Sequence, residues 1–268
     1  MTTTRTLQVV GGRLHYEVRG SGPLLLLMGS PMDAAAFGPL ADALAGDRTV
    51  VTHDPRGISG SVLDDPGQDS TPELRADDVA ALLDALNAES ADVFGSSGGA
   101  VTGLALVARH PGRVRTLVAH EPPLLTLLPD AAAQLAASDD IVETFHREGV
   151  GAAWAKFMAN AGFDVGDDGP AGPPGEPSEQ DLANSVRFFA HELRDTVRHV
   201  PDTAALKAGA DRVVVGVGEA STALITHATS TALAERLGTP PAPFPGDHGG
   251  FIGQPKEFAE RLRQVLTS

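Results

Sequence analysis

A serine held between glycines is the residue pattern in this chain with the clearest chemical meaning. Residues 95–99 read Gly-Ser-Ser-Gly-Gly, with Ser97 at the centre. A mostly apolar run, 91–94, comes before this motif, and the helix-like run 100–109 comes after it. A strand, a tight turn and a helix in this order lift a serine hydroxyl towards a substrate, whereas the same composition in an open loop would only be flexible. The flanking runs favour the turn, so Ser97 is predicted to be the nucleophile of an acyl-transfer reaction.

A histidine must accompany such a serine, because an unassisted hydroxyl is a poor nucleophile at neutral pH. The chain has nine histidines. His248 stands in the glycine-rich segment 245–251, between the last predicted strand and the last predicted helix. This is where a loop can hold an imidazole over the strand ends, so His248 is predicted to be the general base.

Two carboxylates could orient this histidine. Glu121 follows the predicted strand 114–119, and Glu219 follows the predicted strand 212–217. Both satisfy the chain order serine, acid, histidine. Asp247 is next to His248 in sequence, which makes it awkward for its carboxylate to fold back onto the imidazole. The order of residues therefore leaves Glu121 and Glu219 open.

Backbone N–H groups are expected to stabilise the oxyanion that forms during acyl transfer. Gly98 follows the nucleophile directly and supplies one N–H group. The second comes from the loop after the apolar run 24–27, where Met-Gly-Ser-Pro occupies 28–31 and makes Ser30 the candidate.

Strand and helix patterns alternate along most of the 268 residues, which predicts an α/β fold. We expect roughly eight strands in a mostly parallel sheet with helices on both faces. Between 122 and 201 the strand signal disappears, and helical patterns cover 131–148, 151–161 and 178–200. The prediction is therefore a core domain, 1–121 with 202–268, and an inserted helical cap, 122–201. Within the cap, the acidic Gly/Pro-rich segment 162–177 is predicted to be a loop.

Composition argues against several classes of function. The net charge is −15 and there is no cysteine. Nucleic acids and acidic lipids would be repelled, and disulfide or thiolate chemistry is excluded. The apolar run 24–28 is too short for a membrane span or a signal peptide. We expect a cytoplasmic monomer or homodimer without a metal, cofactor, nucleic-acid or membrane partner.

Three motifs resemble segments of the α/β-hydrolase superfamily and, within it, of the zearalenone lactonases. They are His-Glu-Pro-Pro at 120–123, Gly-Val-Gly-Glu at 216–219 and Pro-Gly-Asp-His at 245–248. The superfamily resemblance covers nearly the whole chain and implies the α/β-hydrolase fold. In the lactonases the triad acid is a glutamate within a His-Glu-x-Pro motif, so the resemblance implies Glu121 rather than Glu219.

These features together predict a serine hydrolase that cleaves a small hydrophobic ester or lactone. The resemblance to the lactonases adds zearalenone-like macrolactones to the candidate substrates. The alternatives are a perhydrolase or a C–C bond hydrolase on the same fold, or a non-catalytic ligand-binding module. The tryptophan that the lactonases place against their substrate falls at Phe189. The side chains expected to line an apolar pocket are Met28, Met32, Leu124, Leu125, Trp154, Phe157, Met158, Phe188 and Phe189.

Overall fold

The computed structural model describes residues 2–163 and 177–267, and these residues form a nine-stranded sheet. The strands are β1 (Thr2–Val9), β2 (Gly12–Gly20), β3 (Leu24–Met28), β4 (Thr49–His53), β5 (Val62–Leu63), β6 (Ala91–Ser96), β7 (Val114–His120), β8 (Ala210–Gly218) and β9 (Ala242–Phe244). Their spatial order is β1-β2-β4-β3-β6-β7-β8-β9, and β5 pairs with β2. The β2 strand is antiparallel to its three partners, whereas every pair from β4 to β9 is parallel. The predicted α/β fold with a mostly parallel sheet is confirmed, and the two-residue β5 is an addition that its short pattern did not reveal.

Helices cover both faces of this sheet. They are α1 (Gly38–Leu44), α2 (Pro72–Ala85), α3 (Gly98–Arg109), α4 (Ala131–Glu148), α5 (Val150–Ala161), α6 (Glu179–His191), α7 (Leu193–Arg198), α8 (Thr203–Gly209), α9 (Ile225–Leu237), α10 (Gly250–Gly253) and α11 (Pro255–Thr267), with 3₁₀ turns at Ala35–Phe37 and Leu125–Leu127. Successive strand residues point to opposite faces. Leu26 and Met28 of β3 therefore pack with α2 and α3, while Leu25 and Leu27 pack with α1 and α11.

The helix starts follow local chemistry. Thr71 caps α2, because its hydroxyl oxygen accepts the Leu74 N–H at 3.2 Å, and Pro72 is the first helical residue. The Asp54 carboxylate accepts the N–H groups of Ala34 and Gly60, which fixes the loops after β3 and β4. These bonds hold the ends of the parallel strands in place.

Five helices, α4–α8, lie in the described part of the connection between β7 and β8, and we call the first four, α4–α7, the helical insert. They share an apolar cluster with the preceding 3₁₀ turn, and this cluster includes Leu125, Ile141, Trp154 and Phe189. The sequence pattern over 178–200 predicts one helix, but the structure has two, because the chain turns at Glu192. The predicted loop over 162–177 falls almost entirely outside the described residues. The division into a core domain and a cap stays a prediction.

The carboxyl ends of the parallel strands meet at one edge of the sheet. Ser97 follows β6, Glu121 follows β7, Glu219 follows β8, and His248 lies between β9 and α10. Ligands of α/β proteins bind at this edge. Within residues 2–163 and 177–267, no helix combines the length and apolar character needed to cross a bilayer.

Candidate active site

Ser97 occupies a strained turn between β6 and α3. Its φ and ψ are 56° and −124°, a conformation that side-chain-bearing residues rarely adopt. The neighbouring glycines make the turn possible, because a Cβ on Gly95 would lie 2.5 Å from the Gly99 carbonyl oxygen and one on Gly99 would lie 2.3 Å from the Met28 carbonyl oxygen. The turn places Ser97 at the wall of a cavity that His248 also lines.

His248 has a buried carboxylate partner. Its Nδ1 donates to Glu121 Oε2 at 2.6 Å, and the Glu121 side chain is fully buried. Burial raises the pKa of Glu121, but the hydrogen bond from His248 helps to lower it to about 2. Glu121 is therefore ionised at neutral pH, and the bond fixes the hydrogen of a neutral His248 on Nδ1. Its Nε2 is then free to accept a proton.

Further contacts hold Glu121 in this position. The Gly218 N–H donates to Oε1 at 2.8 Å, and the Thr226 hydroxyl donates to Oε2 at 2.9 Å. The Glu121 backbone has a φ of 50°, and its N–H donates to the Gly216 carbonyl. A non-glycine residue with such a φ persists where its surroundings fix it, as these bonds do here.

The other two carboxylates have different surroundings. Glu219, the alternative acid, is exposed, and its backbone N–H donates to the Phe244 carbonyl. Asp247 Oδ1 accepts the Gly249 N–H at 2.9 Å, within its own loop. The structure therefore brings Glu121 to the imidazole and leaves Glu219 at the surface.

Ser30 and Gly98, the predicted oxyanion residues, lie against each other. A Cβ on Gly98 would lie 2.8 Å from the Ser30 carbonyl oxygen. Gly98 is the first residue of α3, so its N–H has no partner within the helix. The Ser97 N–H is already used, because it donates to the His120 carbonyl at 2.9 Å. Both predicted residues line the cavity beside Ser97.

The cavity has a volume of about 250 Å³ and mostly apolar walls. Six of the predicted pocket residues line it, namely Met32, Leu125, Trp154, Phe157, Met158 and Phe188. The prediction was wrong for Met28, Leu124 and Phe189, which do not line the cavity. Met28 and Leu124 pack in the core on the α2–α3 face of the sheet, and Phe189 packs in the core of the helical insert.

A buried polar network behind the cavity was not predicted. The Ser30 hydroxyl donates to Glu192 Oε2 at 2.6 Å. Arg75 donates from Nε to Thr102 and from Nη2 to Thr196, each at 2.9 Å. The sequence did hold a signal, since Glu192 and Thr196 recur at helical spacing with Phe188 and would share its buried face.

Comparison with known proteins places the fold in a family. The family model described as alpha/beta hydrolase fold matches residues 22–165, more than half of the chain. The uncharacterized hydrolase YraK of Bacillus subtilis (strain 168) is 37% identical over 97% of this chain and 95% of its own length.

Solved structures have the same fold at lower identity. A thermophilic esterase from Thermogutta terrifontis matches with a TM-score of 0.75 at 20% identity, over 100% of this chain and 98% of that chain. Est816, described as an N-acyl homoserine lactone degrading enzyme, matches with a TM-score of 0.71 at 22% identity, over 97% and 99% of the two chains. With the family match and the 37% identical relative, the chain belongs to the alpha/beta hydrolase fold family.

Proposed function

We propose that this protein is a serine hydrolase that cleaves a carboxylic ester or lactone. One observation carries the proposal: His248 is hydrogen-bonded to the buried Glu121 and lines the same cavity as Ser97, which lies in the strained turn. A nucleophile, a base and an orienting carboxylate are the groups that acyl transfer needs.

The reaction proceeds in two halves. Ser97 Oγ attacks the substrate carbonyl carbon while His248 Nε2 takes the hydroxyl proton, and the N–H groups of Ser30 and Gly98 hold the oxyanion. The intermediate collapses, the C–O bond to the alcohol breaks, and His248 returns the proton to the leaving oxygen. Water then attacks the acyl-enzyme with the same assistance and releases the acid. With a lactone, the alcohol and the acid remain in one product molecule.

The cavity supports a compact neutral substrate. Its volume lies just below the usual range for ligand pockets, and Trp154, Phe157 and Phe188 form an apolar wall. The net charge of −15 disfavours anions. An esterase and a lactone-degrading enzyme among the proteins of the same fold fit this substrate class, and the resemblance of residues 120–123 to the zearalenone lactonases is the reason to test macrolactones.

The serine mechanism is tested by substitution and covalent labelling. We expect Ser97→Ala and His248→Ala each to lower kcat for p-nitrophenyl esters by ~10⁴ or more, and the double variant to be little worse, because triad members act as a unit. A fluorophosphonate should label the native chain and Ser96→Ala, a neighbouring-serine control, but not Ser97→Ala. Mass spectrometry identifies the labelled residue.

Two outcomes would contradict this proposal. One is near-normal turnover by folded Ser97→Ala. The other is a folded native chain that hydrolyses no ester or lactone in a panel of short esters, long esters and macrolactones, yet still binds them. The second result would instead favour a ligand-binding module.

A further inference from the structure

Two buried hydroxyls in the cavity wall have no part in the proposed hydrolysis. Ser138 of α4 and Thr196 of α7 both line the cavity and are only 3% and 4% exposed. Both belong to the helical insert, whereas Ser97 and His248 belong to the sheet side. The hydroxyls of Ser30 and Thr226, which also line the cavity, already donate to buried glutamates.

Ser138 has an unused hydroxyl. Serine and threonine within helices commonly donate to the carbonyl four residues earlier. Thr144 of the same helix does so, with its hydroxyl 2.7 Å from the Asp140 carbonyl oxygen. Ser138 Oγ is buried and has no partner among the described residues. Rotation about one side-chain bond can turn this hydroxyl towards a ligand in the cavity.

Thr196 has an unused hydrogen. Its Oγ1 accepts a bond from Arg75 Nη2 at 2.9 Å, and Arg75 is a buried cation. The guanidinium polarises the hydroxyl and strengthens it as a donor. Among the described residues no acceptor takes the Thr196 hydroxyl hydrogen. A ligand that meets Thr196 must therefore present an acceptor.

We infer that Ser138 and Thr196 bind a neutral oxygen, a ketone, ether or hydroxyl, on the part of the substrate that extends under the helical insert. This inference rests on the proposed function and refines its substrate class from a plain hydrophobic ester to one with a second oxygen. Leu125, Ile141 and Val197 line the same cavity, so a donor left unpaired among them would disfavour a hydrocarbon chain. Such sites discriminate against analogues that lack the hydrogen-bonding group.

The test compares p-nitrophenyl heptanoate with its 4-oxo, 5-oxo and 6-oxo derivatives. For each variant we form the ratio of kcat/KM for an oxo ester to kcat/KM for heptanoate, so that the intrinsic reactivities of the esters cancel between variants. At the ketone position that reaches the hydroxyls, we expect Ser138→Ala and Thr196→Val each to lower the ratio about tenfold, which is about 1.4 kcal/mol. Thr196→Ser and Ser138→Thr keep a hydroxyl and should retain most of the preference.

Ser230→Ala is the matched control, because it removes another buried hydroxyl without a partner from α9, outside the cavity lining. Its ratio should equal that of the native chain. Equal ratios in Ser138→Ala, Thr196→Val and the native chain at every ketone position would overturn the inference. If Thr196→Val does not fold, Ser138→Ala decides the outcome.

Binding separates failure of this inference from failure of the proposed function. Trp154, the single tryptophan, lines the cavity, so quenching of its fluorescence reports occupancy. In Ser97→Ala, the methyl ester of the preferred oxo acid should bind about tenfold more tightly than methyl heptanoate, and the added Ser138→Ala change should remove this difference. A binding preference without ester turnover in the native chain would refute hydrolysis and retain the subsite, whereas turnover without any preference would refute the subsite alone.

Discussion

In the proposed mechanism, Glu121 combines a catalytic and a structural function in a single carboxylate. One oxygen accepts from His248 and Thr226, and the other accepts from the Gly218 backbone. A buried carboxylate with several donors is held in one orientation and stays ionised, and this is what an imidazole needs to keep its Nε2 aimed at a nucleophile. The same bonds connect the end of β7 to β8 and α9, so the residue also stabilises the fold.

We expect Glu121→Gln to lower kcat by ~10³ to 10⁴, because an amide removes the counter-charge and can present an N–H group to His248 Nδ1. Glu219→Gln should change kcat far less, because Glu219 is exposed. Measurements of kcat and thermal unfolding on both variants check this prediction. Thr226→Val is the control, because it removes one bond to Glu121 and keeps the bond from His248. It should lower the melting temperature with a much smaller loss of kcat.

A folded Glu121→Gln enzyme with near-normal kcat, beside an inactive folded Glu219→Gln, would move the orienting role to Glu219. The sequence alone could not decide between these residues, since each follows a predicted strand in the required order. Local patterns were sufficient to propose Ser97 and His248, whereas the choice of acid depends on which of two neighbouring strand ends places its carboxylate against the imidazole, and in the structure this is the end of β7.

At the scale of elements, the helical insert is bonded to the loop that carries Ser30. The Ser30–Glu192 bond joins residues 162 positions apart and is buried. Glu192 lies where α6 gives way to α7, next to the Leu193 and Thr196 side chains of the cavity wall. The position of α7 is thereby coupled to the position of Ser30.

We expect Ser30→Ala and Glu192→Leu each to lower kcat about tenfold with little change in KM, because the Ser30 N–H remains but loses its anchor, and oxyanion contacts act in the transition state. Glu192→Gln should retain most activity, since its amide oxygen can still accept from Ser30. Steady-state kinetics well below the melting temperature measure these values. The double variant Ser30→Ala/Glu192→Leu should have a kcat no lower than that of the less active single variant. If the two losses of kcat multiply in full, the coupling is contradicted.

Sequence patterns predicted the regular elements well and the junctions poorly. The predicted helix 151–161 and strand 114–119 differ from α5 and β7 by one residue at one end. The break at Glu192 was missed, because the helical pattern continues through it and only the tertiary bond to Ser30 distinguishes this residue. The errors at Met28, Leu124 and Phe189 have a related cause. The sequence pattern around an apolar residue near a site is the same whether its side chain faces the cavity or the core.

For the whole molecule, net charge and buried histidines predict opposite responses to acid. Protonation reduces the net charge of −15, which should relieve self-repulsion in the folded chain. His53 and His120 act in the other direction, because burial lowers the pKa of His53 to about 4 and that of His120 to about 3. Both are neutral in the folded chain at pH 5, whereas an unfolded chain binds protons on them below about pH 6.5.

Folding at pH 5 therefore requires release of these protons. The free energy of unfolding is highest above pH 6.5 and decreases as the pH falls, down to about pH 4 for the contribution of His53 and about pH 3 for that of His120. Each histidine should lower the free energy of unfolding by about 2 kcal/mol between pH 7 and pH 5. Urea denaturation at both pH values tests this with His53→Gln, which should remove about 2 kcal/mol of the loss since glutamine does not titrate. His146→Gln, which makes the same substitution at an exposed histidine, is the matched control with which His53→Gln is compared. An equal loss in His53→Gln and the native chain would mean that burial of His53 does not govern the acid response, and would leave that response to His120 and the carboxylates.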